Sequence, residues 1–390
     1  MIQNQSIIFL IFIIFFGAAI LCTLAMYTRQ SLLVAYILLG VFLGPWGLKL
    51  VPNALLVSEV GEIGIIFLLF LLGLHLQPRN LLLLLRKTVL LTVVSSVTFA
   101  LIGYVVGITF HYSQIESVII GGAMMFSSTI IGLKLLPTTI LHHKHTGEVM
   151  ISILLLQDLL AIVILLLLKT FEMKGFAFRE VSTVLISLPI MVIFSILFVR
   201  FVLLKLLAKF DTIQEYTWIV AIGWCLLLVE LSHLLGISTE VGAFIAGITL
   251  AEHPISQYIA ESLKPLRDLF LVIFFFSVGA HFDPHYLVGV LKPALILAIG
   301  ALFLKPLIYR FLLVREGESK QVSWEVGVRL GQASEFSLLI AYLAGGSTLI
   351  GLKTSFLIQA ATILTFIVSS YWVVIKYPTP LATKSKLRQD

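Results

Sequence analysis

Ile151-Ser-Ile-Leu-Leu-Leu-Gln157-Asp158-Leu-Leu-Ala-Ile-Val-Ile-Leu-Leu-Leu-Leu168 is long and apolar enough to cross a bilayer as a helix. The span around it is expected to start near 147, so Asp158 falls about ten residues in, roughly 15 Å into a hydrocarbon core about 30 Å thick. A carboxylate at that depth costs about 2.5–3.5 kcal/mol on insertion scales. Stability does not explain such a residue. The reading it supports is an ion or proton site, with a structural ion pair as the other use of a buried charge.

The remaining sequence places this stretch in a polytopic membrane protein. Of 390 residues, 59% are hydrophobic and 12% charged, against about 45–50% and 25% for a soluble domain. Thirteen apolar spans are expected, at 6–27, 31–48, 56–76, 88–110, 116–137, 147–169, 184–207, 216–235, 238–252, 264–281, 292–313, 322–345 and 353–376. An odd number puts the termini on opposite sides. With the N-terminus outside, the inner segments carry 17 Lys and Arg and the outer ones 6. The positive-inside rule therefore predicts the N-terminus outside and the C-terminus cytoplasmic, and the expected location is the inner (plasma) membrane. The same loops account for the net charge of +6 without nucleic acid. Met1 to Ser6 has no basic n-region or cleavage site, so the first run reads as a retained span. Cys22 and Cys225 are isolated and read as inert buried thiols. There is no Walker loop or nucleophile elbow, so neither an enzyme nor an ATP-driven pump is expected, and no cofactor.

An internal repeat organises the spans. Phe70-Leu-Leu-Gly73-Leu-His75-Leu-Gln-Pro78 ends the third, and Phe276-Ser-Val-Gly279-Ala-His281-Phe-Asp-Pro284 ends the tenth, with Phe, Gly, His and Pro matching at a constant offset of 206 residues. At the same offset Ser128 falls on Ser334 and Thr129 on Glu335. Spans 1–6 then correspond to spans 8–13, with span 7 as connector, and the odd connector inverts the second copy. The expectation is an all-α membrane protein with an inverted-topology repeat and two crossing broken helices.

Such folds put the site at the midplane, where broken helices meet. The fifth span holds Ser127-Ser128-Thr129 after Gly121-Gly122, and the twelfth holds Arg329-Leu-Gly331-Gln332-Ala-Ser334-Glu335-Phe-Ser337. Glycine loosens the helix, and hydroxyls compete for its backbone hydrogen bonds. Lys305 lies at a similar depth in span 11. It could pair with Asp158, snorkel, or plug a helix C-terminus. Glu335 could coordinate an ion, pair with Arg329, or meet a backbone amide at a break. The three hydroxyls could instead back-bond to their own helix. Glu62 and Glu240 read as interfacial caps. His142, His143 and His145, with Lys144, read as a solvated loop whose spacing could also bind a metal or sense pH.

With Gly44-Pro45-Trp46-Gly47, Gly242-Ala-Phe-Ile-Ala-Gly247, Phe274-Phe-Phe-Ser-Val-Gly279 and Gln157-Asp158 in the same order, the sequence resembles the cation:proton antiporter-2 superfamily. It is most similar to the Kef-type potassium/proton antiporters, over about residues 6–376. The resemblance implies a sodium/proton antiporter-like fold and a homodimer working by an elevator motion. It implies scaffold helices at 1–83 and 213–284, core helices at 84–175 and 285–377, a linker helix at 176–212 and a basic tail at 378–390. It also implies Asp158 as the ion-binding carboxylate, and Gln157 in the place of a second acid, which favours K+ over Na+. Kef-type chains usually continue into a nucleotide-binding regulatory domain. This sequence ends in a basic tail, so such a domain or subunit is a possible partner.

The functional expectation is electroneutral exchange of K+, or Na+, for H+. Asp158 would bind the metal ion or a proton, with Gln157, Ser127, Ser128 and Thr129 completing the shell and Lys305, Glu335 and Arg329 as supporting charges. A Na+/H+ antiporter, a regulated K+ channel and an organic-anion symporter are the alternatives.

Overall fold

The computed structural model describes residues 7–28, 30–51, 55–75, 78–134, 145–172, 178–210, 214–346 and 349–379. His142, His143 and Lys144 lie outside them. The described residues form α1 (Ile7–Thr28), α2 (Leu32–Leu43), α3 (Leu55–His75), α4 (Pro78–Thr109), α5 (Gln114–Met124), α6 (Thr129–Lys134), α7 (His145–Glu172) and α8 (Phe178–Phe198). A π-helical turn, Val199–Leu203, leads into α9 (Leu204–Lys209). Then come α10 (Gln214–Leu234), α11 (Thr239–Leu250), α12 (Ile255–His281), α13 (Pro284–Arg315), α14 (Lys320–Arg329), α15 (Glu335–Gly346) and α16 (Leu352–Lys376). Among the described residues, helix covers part of each expected span. Six stretches among the described residues are long and apolar enough to cross a membrane: Ile8–Thr28, Thr88–Thr109, Ile186–Lys209, Gln214–Leu234, Pro284–Arg315 and Leu352–Lys376.

Local chemistry sets the helix starts. Ser113 caps α5 by accepting from the Glu116 N–H, and Glu116 returns the bond to the Ser113 N–H. This reciprocal box satisfies two donors that a helix N-terminus otherwise leaves unpaired. Ser319 caps α14 through the Val322 N–H. Asp283 caps α13, with Pro284 at the first helical position, where its missing N–H costs nothing. The boundaries recur at one spacing. Pro78 and Pro284, Thr109 and Arg315, Gln114 and Lys320, and Thr129 and Glu335 each stand 206 residues apart.

The chain divides into two compact units. One comprises residues 1–54, 85–161 and 275–390; the other comprises 55–84 and 162–274. In the second unit α3 packs on α11 and α11 on α10. A Cβ at Gly73 would meet the Phe244 carbonyl, and one at Gly247 would meet the Phe70 carbonyl. Trp224 stacks on Phe198 and donates to the Ala246 carbonyl at 3.2 Å. In the first unit α13 packs on both α14 and α16, and α15 on α16 and α5. Its core gathers Leu91, Phe99, Met150, Ile153, Leu154, Tyr309, Leu313, Val326 and Leu330. Leu330 of that block belongs to the second of the helix breaks described next.

Candidate functional site

All the candidate residues lie in the first unit. Helix α5 stops at Met124 and α6 starts at Thr129; α14 stops at Arg329 and α15 starts at Glu335. Each break strands carbonyls at the end of one helix and N–H groups at the start of the next. In a buried setting these must find partners. The two breaks supply each other. Ser127 Oγ donates to the Leu330 carbonyl at 2.7 Å, and Ser337 Oγ to the Ala123 carbonyl at 2.6 Å. Gln332 Nε2 reaches the Ser128 carbonyl at 3.5 Å. Helix α16 adds Thr365, which accepts from the Ala333 N–H at 3.0 Å, and Ser369, which donates to Gln332 Oε1 at 3.0 Å.

Lys305 is 1% exposed. Its ammonium donates to the Phe126 carbonyl at 2.6 Å and the Gln332 carbonyl at 3.2 Å, and lies 5.0 Å from the Phe99 ring centroid. One carbonyl comes from each break. The C-terminal ends of α5 and α14 carry partial negative charge, and a cation between them is favourably placed. Among the described residues no carboxylate lies within 4.0 Å of Lys305. Of the roles open to it from sequence, the structure places it at the plug.

Asp158 is buried on α7, and its two oxygens accept from Thr129 Oγ at 3.2 and 3.1 Å. Thr129 is the first residue of α6, where the helix dipole is positive. The Glu335 carboxylate, first residue of α15, lies within electrostatic reach of Asp158. Gln157 is fully buried and differently engaged. Its Oε1 accepts from the Ser127 N–H at 3.0 Å, and its Nε2 donates to Tyr309 Oη at 2.8 Å and the Met125 carbonyl at 3.3 Å. Ser128 Oγ accepts from the Ile131 N–H at 3.1 Å.

The five residues expected around an ion are therefore neighbours, with different tasks. Thr129 touches Asp158, while Ser127, Ser128 and Gln157 hold the break open in a fixed shape. Arg329 turns elsewhere: its Nε donates to Glu325 at 3.0 Å and its Nη2 to the Pro378 carbonyl at 2.9 Å. The sequence reading missed Tyr309, whose signal was its position four residues after Lys305 on one helix face. Gln332 and Ser337 stood in the polar cluster of the twelfth span without a role of their own, and Thr365 and Ser369, hydroxyls in an apolar helix, gave no signal. Among the described residues no group of three His, Cys, Asp or Glu could hold a metal ion together.

The family model for the transmembrane sodium/hydrogen exchanger matches residues 9–375. The chain is 28% identical over 367 residues to the protein named iron transporter MagA of Paramagnetospirillum magneticum, covering 91% of this chain and 82% of that one. It is 29% identical over 351 residues to K(+) efflux antiporter 6 of Arabidopsis thaliana, covering 87% and 58%. Kef-type potassium efflux proteins are thus homologues over most of this chain, which spans little more than half their length. The sodium proton antiporter MjNhaP1 of Methanocaldococcus jannaschii, at 16% identity, superposes with a TM-score of 0.68 over 92% of this chain and 93% of that one.

Proposed function

This chain belongs to the sodium/hydrogen exchanger family, and from that premise we propose that it exchanges a monovalent cation, K+ before Na+, for H+. One observation carries the reading: a buried carboxylate, Asp158, contacted by the Thr129 hydroxyl where α6 begins after a helix break. Such a group can hold a proton or a cation and must give up one to take the other. A divalent metal would ask for more anionic or imidazole ligands, and no such cluster accompanies Asp158 among the described residues. The names of two relatives, a K(+) efflux antiporter and a sodium proton antiporter, agree with monovalent exchange.

The finer reading is thirteen spans with an inverted repeat, the N-terminus outside and the C-terminus cytoplasmic. The 206-residue spacing of helix boundaries supports the repeat. So do two close crossings: Gly73 of α3 against Gly247 of α11, and Gly279 of α12 against Gly40 of α2. The equivalent glycine of each half meets a glycine from the other half. A homodimer with scaffold (1–83, 213–284) and moving core (84–175, 285–377) follows from the family resemblance, as does an elevator motion. With one acid at the Gln157-Asp158 pair, exchange is one for one and electroneutral. Cation-dependent proton flux in proteoliposomes, with K+, Na+, Rb+ and Li+ compared, tests the reading. Asp158→Asn should abolish flux in a folded protein; full activity in that variant would sink it.

A further inference from the structure

A second polar site lies away from Asp158. A cavity of about 690 Å³ opens between the ends of α13, α14 and α16. Arg310, Lys320 and Lys376 line it, all exposed. Trp324 stands among them, its ring centroid 5.5 Å from the Arg310 guanidinium and 5.7 Å from the Lys376 ammonium. Among the described residues none of these three cations has a carboxylate within 4.0 Å. The one acid in the lining, Glu325, is held by the buried Arg329 at 3.0 Å. Tyr377 adds no charge, because burial first and then the neighbouring Glu325 push its phenol up to about 12.

Three like charges around one concavity raise the local positive potential, which favours a bound anion. The first turn of α14, from Lys320, lines the cavity with the positive end of its dipole, and Lys376 closes α16 on the other side. The cavity falls within the size range of small-molecule sites, about 300–1,000 Å³. Its indole gives an apolar wall beside the cations. In the proposed orientation this face is cytoplasmic.

We infer that this cavity binds a phosphate-bearing anion, with Arg310, Lys320 and Lys376 on the phosphate and Trp324 against the organic part. The phosphate could belong to a lipid headgroup or to a soluble compound, since both present the same oxygens to the same cations. The site does not depend on which cation is exchanged at Asp158.

The test uses the full chain in two arms. In the first, nanodiscs of phosphatidylglycerol or of phosphatidylcholine are compared by thermal unfolding and by native mass spectrometry of retained lipid. In the second, inorganic phosphate and adenosine monophosphate are titrated into phosphatidylcholine nanodiscs, with chloride-matched controls. Each neutralised charge should weaken binding about fivefold, and the triple variant R310Q/K320Q/K376Q about a hundredfold. Lys292→Gln, far along α13, should leave binding unchanged. Loss confined to the first arm identifies a headgroup, and loss in the second a soluble phosphate. Equal behaviour of wild type and triple variant in both arms would overturn the assignment, as would equal loss in the Lys292→Gln protein. Trp324 emission, compared with a W324F variant, reports occupancy directly.

Discussion

Replacing Lys305 with methionine separates two uses of a buried ammonium. Methionine nearly conserves volume, so packing against Phe99 is kept and the donor is lost. Two charge-assisted bonds go, to the Phe126 carbonyl at 2.6 Å and the Gln332 carbonyl at 3.2 Å. At about 1.5–3 kcal/mol each, the variant should lose about 3–6 kcal/mol, with both helix ends left unpaired. Asp158→Asn should behave oppositely. It removes a buried charge and keeps an oxygen to accept from Thr129, so stability should stay level or rise. The double variant should then differ from K305M only by what D158N gains alone. A direct Lys305–Asp158 ion pair predicts another pattern: each single variant strands a buried charge at about 3–5 kcal/mol, and the double relieves both. Unfolding of the four purified proteins in one detergent, followed by intrinsic fluorescence, measures the cycle. A destabilised D158N, or a double variant that exceeds K305M by clearly more than D158N exceeds the wild type, would refute the assignment of Lys305 to the helix breaks.

Thr129→Val removes the hydroxyl on Asp158 at constant shape and should raise the KM for the cation about five- to thirtyfold in flux assays, with Thr129→Ser close to wild type. Tyr309→Phe takes the acceptor from Gln157 Nε2 and should cost about 1–2 kcal/mol in unfolding experiments, while Nε2 keeps its bond to the Met125 carbonyl. Gly279→Ala should cost about 1–3 kcal/mol, because the new Cβ meets the Ile37 backbone; Gly289→Ala, with nothing within 4 Å, should be neutral or gain up to about 1 kcal/mol.

Much of this architecture was legible because its signals are local or periodic. Apolar length marks spans, and the Gly-x-His-x-x-Pro match at 206 residues foretold helix boundaries such as Pro78/Pro284 and Thr129/Glu335. Depth along a helix put Asp158, Lys305 and Thr129 in one layer. Partners were not legible, because direction around the helix and the neighbour across it decide them. Lys305 sits at the depth of Asp158 and bonds carbonyls instead. Arg310, Lys320 and Lys376 read only as charges that orient the chain, because nothing local tells that α13, α14 and α16 gather them around Trp324.

The partners follow an order that physical chemistry imposes. A broken helix in a low-dielectric layer carries unpaired N–H and C=O groups, each costing several kcal/mol if left so. Those groups take the nearest polar side chains first: Ser127 and Ser337 go to carbonyls, and Ser128 and Gln157 to N–H groups. Only what remains is free to meet an ion. Of the five side chains proposed around it, that leaves Asp158 and Thr129, so the rest of a cation's shell would come from backbone carbonyls and water. Selectivity between K+ and Na+ would then be set by how rigidly Lys305 and Gln157 hold the two breaks. On this argument K305M, where it folds, should blur the preference between K+ and Na+ more than it slows exchange. A K305M protein with unchanged relative rates for K+, Na+, Rb+ and Li+ would separate break geometry from selectivity and end the argument.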